Sequence, residues 1–301
     1  MYINGNYIVN VLRFDGRSKR TLRVGENFEP QFPDSIDLKI TNRCSIGCPW
    51  CHESSEPGGG IFDFTKTTNI LSSLPRVPLE IAIGGGDVLE CPEEAIELVK
   101  WIKDYGFHPR LTVNIESLKK IDWEKSEDPR IKLLDYVSTI GISVRSPSIP
   151  DNLFASRRFR LTKVFHVILG IMPISDFDKL VSKVSWGSGI LVLGFKQFGR
   201  AKDMEIPNLQ EWRDYFKNMK IRERSVIGFD NLALEQLEIK NHLPPERWNS
   251  LWFGPEFSSS MYVDAVEETF APTSRSTERT SWSTGITLVD YFNKYKNDFS
   301  N

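Results

Sequence analysis

Between Ser35 and Phe195 the chain alternates short apolar, β-branched runs with amphipathic stretches. The runs Ile36–Thr41, Leu79–Ile83, Leu111–Ile115, Val137–Val144, Val164–Leu169 and Ile190–Phe195 read as strands, and 63–74, 92–105, 129–135, 151–157 and 175–184 carry apolar residues at helical spacing. Strand and helix in strict alternation build βαβ units with right-handed crossovers, which predicts a parallel sheet with helices outside. Six such strands suit an open, partial α/β barrel, a partial (β/α)6 barrel. Upstream, Tyr7 to Phe14 is strand-like, Asp15-Gly16 is a hairpin turn signal, and Thr21 to Val24 can return, so 1–34 reads as a small N-terminal β-hairpin appendage. Past Phe195 the rhythm weakens. A helix is expected at 208–219, a strand within Ser225–Leu237, a strand or hairpin over Met261–Ala271, a Ser/Thr loop at 273–284, and a last helix over Thr287–Lys296. The organisation predicted is 1–34 appendage, 35–200 barrel core, and 201–301 a C-terminal satellite covering one end of the barrel.

Charge narrows the function classes. With 38 Lys+Arg against 40 Asp+Glu the formal charge is −2, which argues against a protein that holds nucleic acid or membrane by bulk electrostatics. The basic clusters Lys19, Arg20, Arg23 and Arg157, Arg158, Arg160 read as solvated loop charge. The longest apolar stretches, such as Val164 to Met172, fall short of the roughly 18 residues of a membrane span. Met1 to Val11 lacks the basic-then-apolar texture of a signal peptide, so a cytoplasmic protein is expected. Of the 4 cysteines, Cys44, Cys48 and Cys51 crowd together, which suits a metal or cluster better than disulfides.

Directly after the first barrel strand runs Thr41-Asn42-Arg43-Cys44-Ser45-Ile46-Gly47-Cys48-Pro49-Trp50-Cys51-His52, three thiols spaced CxxxCxxC. Thiolates are soft ligands for iron–sulfur clusters or zinc. Three ligands for a four-iron cubane leave one iron open to a small molecule, whereas structural zinc asks for four protein ligands. A zinc knuckle completed by His52 or Cys91 is the competing reading. A second motif, Leu79-Glu80-Ile81-Ala82-Ile83-Gly84-Gly85-Gly86-Asp87, is a strand running into three glycines and a carboxylate. Glycines at a strand's carboxyl end let backbone approach a ligand where α/β proteins bind them.

The Cys loop with Trp50 as the aromatic before the third cysteine, followed by the Gly84-Gly85-Gly86-Asp87 run, resembles the radical S-adenosylmethionine (SAM) superfamily. That resemblance implies a [4Fe–4S] cluster on Cys44, Cys48 and Cys51, SAM chelating the fourth iron, and reductive cleavage to a 5′-deoxyadenosyl radical. It also implies a reductant such as flavodoxin or ferredoxin. The glycine run corresponds to the motif that hydrogen-bonds the SAM amino group, with Asp87 where the family usually has Glu. Asn114, Ser143 and Arg145, at the ends of the third and fourth strands, fall where related enzymes bind the SAM ribose and carboxylate. Val167 to Met172 resembles the segment beside adenine, and His166 reads as a core histidine. Lys196 and Arg200, framed by Gly194 and Gly199 after the sixth strand, face either substrate or solvent.

Met261 to Pro272 faintly resembles the hairpin of SPASM-type radical SAM enzymes, which modify peptides. Those carry cysteines where this chain has Thr273 and Ser274, and Cys91 alone remains, so no auxiliary cluster is expected. Cys91 reads as a small buried residue. The expectation is a single-cluster enzyme abstracting hydrogen from a peptide or peptide-like substrate. The alternatives are a nucleoside-type metabolite as substrate, or a non-catalytic iron–sulfur or zinc-binding interaction module.

Overall fold

The computed structural model describes residues 1–11, 18–21, 28–125, 127–150, 161–184, 188–219, 227–252 and 254–296. The Asp15-Gly16 turn, the helix expected at 151–157, Arg23 and the cluster Arg157, Arg158 and Arg160 lie outside the described residues.

Strands β1 (Tyr2–Asn4), β2 (Tyr7–Val11) and β3 (Ser18–Thr21) form a three-stranded antiparallel sheet, one strand more than the expected hairpin. Its anchor is polar. The fully buried Asn4 donates to Phe32 O at 2.8 Å and Asp34 Oδ1 at 2.7 Å, accepts from Gln31 N at 2.8 Å, and Tyr7 OH donates to Asp34 Oδ2 at 2.8 Å. Each of these groups would be costly to bury unpaired, so the set holds the small sheet to the start of the barrel.

The main sheet begins with seven parallel strands in chain order: β4 (Ser35–Thr41), β5 (Glu80–Gly85), β6 (His108–Asn114), β7 (Thr139–Val144), β8 (Thr162–Ile168), β9 (Ser188–Leu193) and β10 (Ile227–Phe229). The first six correspond to the expected barrel strands; β10 extends the series. Helices α1 (Phe64–Leu71), α2 (Pro92–Tyr105), α3 (Ile115–Leu118), α4 (Pro129–Asp135), α5 (Ile174–Lys183) and α6 (Leu209–Asn218) lie in the crossovers. Helix α2 shows why the pattern works. Pro92 opens it, Glu93 and Glu94 sit in its first turn, Gly106 closes it at φ 104°, and Ala95, Leu98, Val99 and Ile102 form the buried face. Pro109 sits inside β6 without cost because β7 pairs with that strand only from Leu111 onward.

After α7 (Asn231–Gln236) and α8 (Pro245–Leu251) the chain returns to the other edge of the sheet. Strand β11 (Ser260–Asp264) pairs in parallel with β4, and β12 (Thr269–Ala271) and β13 (Thr280–Ser281) continue antiparallel before α9 (Leu288–Tyr295). The hairpin expected at Met261–Ala271 is therefore β11–β12, joined to the barrel sheet beside its first strand.

Alternation within the strands locates the lumen. Ile36, Leu38, Ile40, Ile81, Ile83, Leu111, Val113, Ile140, Ile142, Phe165, Val167, Ile190 and Val192 are each at most 2% exposed, under the helices. A packed parallel sheet is apolar on both faces. Here the other face carries Asp37, Lys39, Thr112, Asn114, Ser143 and His166, so the barrel encloses a polar lumen.

Candidate metal and cofactor site

The Cys loop leaves β4 at Thr41 and closes on itself through backbone bonds. Asn42 N donates to Gly60 O at 2.8 Å, Cys44 N to Glu56 O at 3.0 Å and Cys51 N to Cys48 O at 3.2 Å. Gly47 turns the chain at φ 65°, where a glycine pays no steric penalty. All three cysteines are free thiols; Cys44 is buried and Cys48 and Cys51 are half-buried. Burial pushes the Cys44 and Cys48 thiols up, as does the nearby Cys51, while Arg145 and Arg200 pull Cys48 back down. Binding a metal here would therefore release protons.

Two other loops pin this one. Gly86 N donates to Thr41 O and Asp87 N to Arg43 O, both at 2.7 Å, and a Cβ on Gly86 would fall 2.2 Å from Arg43 O. Gly85, at φ 126°, approaches Thr41 O as closely, so a Cβ would stand 2.4 Å away. From the far side of the barrel Arg200 donates from Nε to Cys48 O and from a terminal nitrogen to Ser55 O, each 2.9 Å, and its N–H donates to Cys51 O at 3.0 Å. Gly199, at φ 56°, lets that backbone pass over the His52 carbonyl.

The glycine run thus divides. Gly85 and Gly86 make room for the protein's own backbone, whereas a Cβ on Gly84 would meet only Thr112 Cβ, at 3.8 Å. Asp87 is 1% exposed and turned inward: one oxygen accepts from Leu89 N at 3.1 Å, the other from Ser117 Oγ, and burial raises its pKa. Asn114 and Ser143 are register partners, and His166 follows on β8, so the three form one row across the sheet. Asn114 Oδ1 accepts from Glu116 N at 3.0 Å. Arg145 is 46% exposed, 3.7 Å from Glu116, with its charge felt at Cys48. Trp50 is half-buried on the Cys loop.

Cys91 stands apart, 1% exposed in the core, with its thiol directed at Val88 O and its pKa pushed up to about 11 by burial. Among the described residues no three His, Cys, Asp or Glu side chains converge to hold a single ion. A structural zinc asks for four protein ligands, whereas a cubane held by three thiolates leaves one iron open. Three free thiols on one closed loop fit the cluster.

Sequence reasoning missed a buried ionic group beside the loop. Lys39 Nζ lies 2.9 Å from Glu53 Oε2 and 3.0 Å from Asp264 Oδ2; Arg279 is 2.9 Å from the same Asp264 oxygen. Tyr262 OH donates to Glu53 Oε1 at 3.1 Å, and His52 Nε2 is 3.3 Å from that oxygen. Asp264 is 0% and Lys39 6% exposed. Burial alone would raise the Glu53 carboxyl, but His52 and Lys39 hold it well below the usual carboxylate range; burial would likewise depress Lys39, and its two carboxylates raise it. Lys196 Nζ donates to Ser274 Oγ at 2.8 Å, across the same opening.

No family model and no curated protein matches the chain. Solved structures do. The chain resembles Streptococcus suis SuiB bound to the precursor peptide SuiA at 13% identity and TM-score 0.61, covering 87% of this chain and 65% of that one. SuiB bound to S-adenosylmethionine matches at 13% identity and TM-score 0.59, covering 87% and 66%. Native anSMEcpe with bound AdoMet and the Cp18Cys peptide matches at 12% identity and TM-score 0.54, covering 89% and 83%. The chain spans about two thirds of SuiB's length. At such identities the likeness establishes the fold alone, a mixed α/β partial barrel with a parallel-rich sheet that this chain shares with SuiB and anSMEcpe.

Proposed function

We propose that the chain is a radical SAM enzyme that holds one [4Fe–4S] cluster through Cys44, Cys48 and Cys51 and abstracts hydrogen from a peptide or peptide-like substrate. The observation that carries this is the placement of three free thiols on one closed loop at the carboxyl end of β4, beside a polar lumen. When bound, the cluster and SAM supply the electron and the carbon–sulfur cleavage that create the hydrogen-abstracting radical. The chain's share is positional. Arg200 and Gly86 hold the thiol loop from opposite sides, Gly84 leaves the lumen wall without a side chain, and Asn114, Ser143 and Arg145, at the ends of the adjoining strands β6 and β7, offer SAM's polar groups their partners. Asp87 acts through the turn it caps. The peptide reading is supported by the shared fold of SuiB solved with a precursor peptide and anSMEcpe solved with a peptide. We further assign 35–200 as the catalytic core, 1–34 and 201–301 as its flanking regions, and a flavodoxin or ferredoxin as electron donor. Among the described residues no helix is long and apolar enough to cross a membrane.

The test is anaerobic reconstitution. Iron and sulfide should each approach about four per chain, the content of one cubane. Dithionite reduction with SAM should release 5′-deoxyadenosine, and Cys48→Ala should abolish it while Cys91→Ala does not. Iron near eight, or an intact cluster that never cleaves SAM with peptides present, would overturn the reading.

A further inference from the structure

Most polar side chains of the lumen already have partners. Lys39 is held by Glu53 and Asp264, Arg279 by Asp264 and Lys196 by Ser274, while Asn114 Oδ1 accepts from Glu116 N. His166 does not. It stands on the lumen face of β8 between Phe165 and Val167, which are 0% exposed under the helices, and is in register with Ser143 of β7 and Leu191 of β9. Neither ring nitrogen is hydrogen-bonded or ion-paired to a described residue. The ring is nevertheless seated by the fold. A Cβ built on Gly141 of β7 would fall 2.4 Å from His166 Cε1, 2.7 Å from Nε2 and 3.1 Å from Nδ1, so the imidazole lies across the neighbouring strand in the notch that this glycine leaves. Glycine inside a strand weakens it and marks such a close approach.

The notch sets the depth of the ring in the barrel. Gly141 precedes Ser143 by two residues, so the ring sits one lumen position nearer the amino ends of the strands than the Asn114–Ser143 pair assigned to SAM above. Its layer runs from Lys39 through Gly84 and Thr112 to Gly141. Lys39 already has two carboxylates, the glycines carry no side chain, and the Thr112 hydroxyl has no partner among the described residues. What this layer offers a ligand is therefore uncharged, one hydroxyl and one imidazole. Burial lowers the ring's pKa to about 4 with no neighbouring charge contributing, so at neutral pH it carries one N–H donor and one acceptor nitrogen. A charged group entering here would lose its hydration without finding a free counter-charge, and an aliphatic one would leave both nitrogens unmet. A hydroxyl or a carboxamide supplies a donor and an acceptor together.

Resting on the peptide reading above, we propose that His166, seated over Gly141, is a specificity-determining residue that hydrogen-bonds an uncharged polar side chain, hydroxyl or carboxamide, of the substrate peptide in the barrel lumen.

The experiment uses the reconstituted holoenzyme, challenged with pools of synthetic peptides that carry Ser, Gln, Glu, Lys or norleucine at one fixed position and mixtures elsewhere. One readout is 5′-deoxyadenosine formed above the peptide-free level, as kcat/KM. The other is equilibrium binding of the preferred pool to the SAM-loaded, unreduced enzyme, where nothing turns over. Wild type should favour the Ser or the Gln pool about tenfold or more over Glu, Lys and norleucine, because a site built for hydrogen bonds rejects a group that cannot make them. Which of the two leads distinguishes hydroxyl from carboxamide. His166→Leu should lose the preference mainly through KM, with weaker peptide binding and unchanged SAM binding. His166→Gln, which keeps a donor and an acceptor, should restore part of it, a rescue that a merely structural role would not produce. Gly141→Ala, which pushes the ring out of its notch, should lose the preference with His166 still present. If His166→Leu does not fold, Gly141→Ala and His166→Gln decide. Stimulation without this preference, a preference that survives in His166→Leu or Gly141→Ala, or a loss of SAM binding as large as that of peptide would overturn this inference and leave the peptide reading standing. Failure of every pool to stimulate wild type would overturn the peptide reading and this inference with it.

Discussion

Replacing Gly86 by alanine should damage the fold far more than replacing Gly84, although the two glycines are two residues apart in one motif. A Cβ on Gly86 would stand 2.2 Å from Arg43 O and 2.8 Å from the Arg43 carbonyl carbon, both backbone atoms. Ordinary contact is roughly 3.4 Å, so the two chains must part by about 1 Å. The bonds Gly86 N to Thr41 O and Asp87 N to Arg43 O, both 2.7 Å, run through the same contact and would break. Overpacking of this kind costs about 1–3 kcal/mol and each hydrogen bond about 0.5–1.5 kcal/mol, giving about 2–6 kcal/mol in all. On Gly84 the new methyl meets only Thr112 Cβ at 3.8 Å, an ordinary contact, and the change in stability should stay within about 1 kcal/mol. Under the proposed function that methyl stands in the lumen, so Gly84→Ala should weaken SAM binding in protein that folds normally. Urea unfolding of the metal-free, reduced chain, followed by circular dichroism and tryptophan fluorescence, reads the first effect; equilibrium SAM binding by the reconstituted protein reads the second. Equal stability of Gly86→Ala and wild type, or equal damage from both substitutions, would refute the division of the motif.

Two further outcomes follow from buried charge. Lys39→Met leaves Glu53 and Asp264 facing each other without their shared cation and should cost about 3–5 kcal/mol, with little dependence on salt, whereas Lys66→Ala, which removes a partner of the exposed Glu268, should leave stability close to that of wild type; urea unfolding at low and high salt compares them. His166 is held neutral by burial, its pKa lowered from 6.5 to about 4, so the unfolded chain takes up the proton first as pH falls. Stability at that site is therefore full above pH 6.5 and lost progressively between 6.5 and 4, by about 1–3 kcal/mol. The difference between wild type and His166→Leu in urea unfolding at pH 7 and pH 5 should show it, and a difference independent of pH would dismiss the assignment.

Local signals carried most of the fold. Helices α2 and α4 are bounded by Pro92 with Gly106 and by Asp128 with Pro129, signals that do not depend on the rest of the chain, and they run where the pattern places them. Strand ends drift more. Strand β6 begins at His108 rather than Leu111 because the absence of a β7 partner at that point removes the penalty that Pro109 carries in a central strand. Strand β1 has only three residues and is too short to show a period; what holds it is the set of buried bonds to Asn4, whose partners lie about 30 residues away. The thiol loop and the glycine run were legible because each is contiguous in sequence. Their mutual contact was not, and it gives two of the glycines a packing role: Gly85 and Gly86 admit the Thr41–Arg43 backbone, a partner no motif reveals.

The ionic group beside the thiol loop marks where local reading fails for a physical reason. Lys39 and Asp264 are 225 residues apart, and each taken alone resembles ordinary surface charge. What distinguishes them is position on a strand. Lys39 shares the lumen face of β4 with Asp37 while Leu38 and Ile40 take the helix face, and Asp264 ends a strand whose Met261 and Val263 are buried. Such a charge is stable only if its counter-charge arrives from elsewhere in the fold, and here it arrives when β11 pairs with β4. That pairing sets a strand from late in the chain beside the first barrel strand, so it forms at the entropic cost of a large loop. Of the residues that follow Cys51, Glu53 is bonded to Tyr262 and Lys39 through the same pairing, and His52 lies against Glu53. The geometry of the thiol loop is therefore a property of the assembled sheet from both ends, with β11 supplying the charges that Lys39 and Glu53 require and Arg200, from beyond β9, supplying the donors that hold the Cys48 carbonyl.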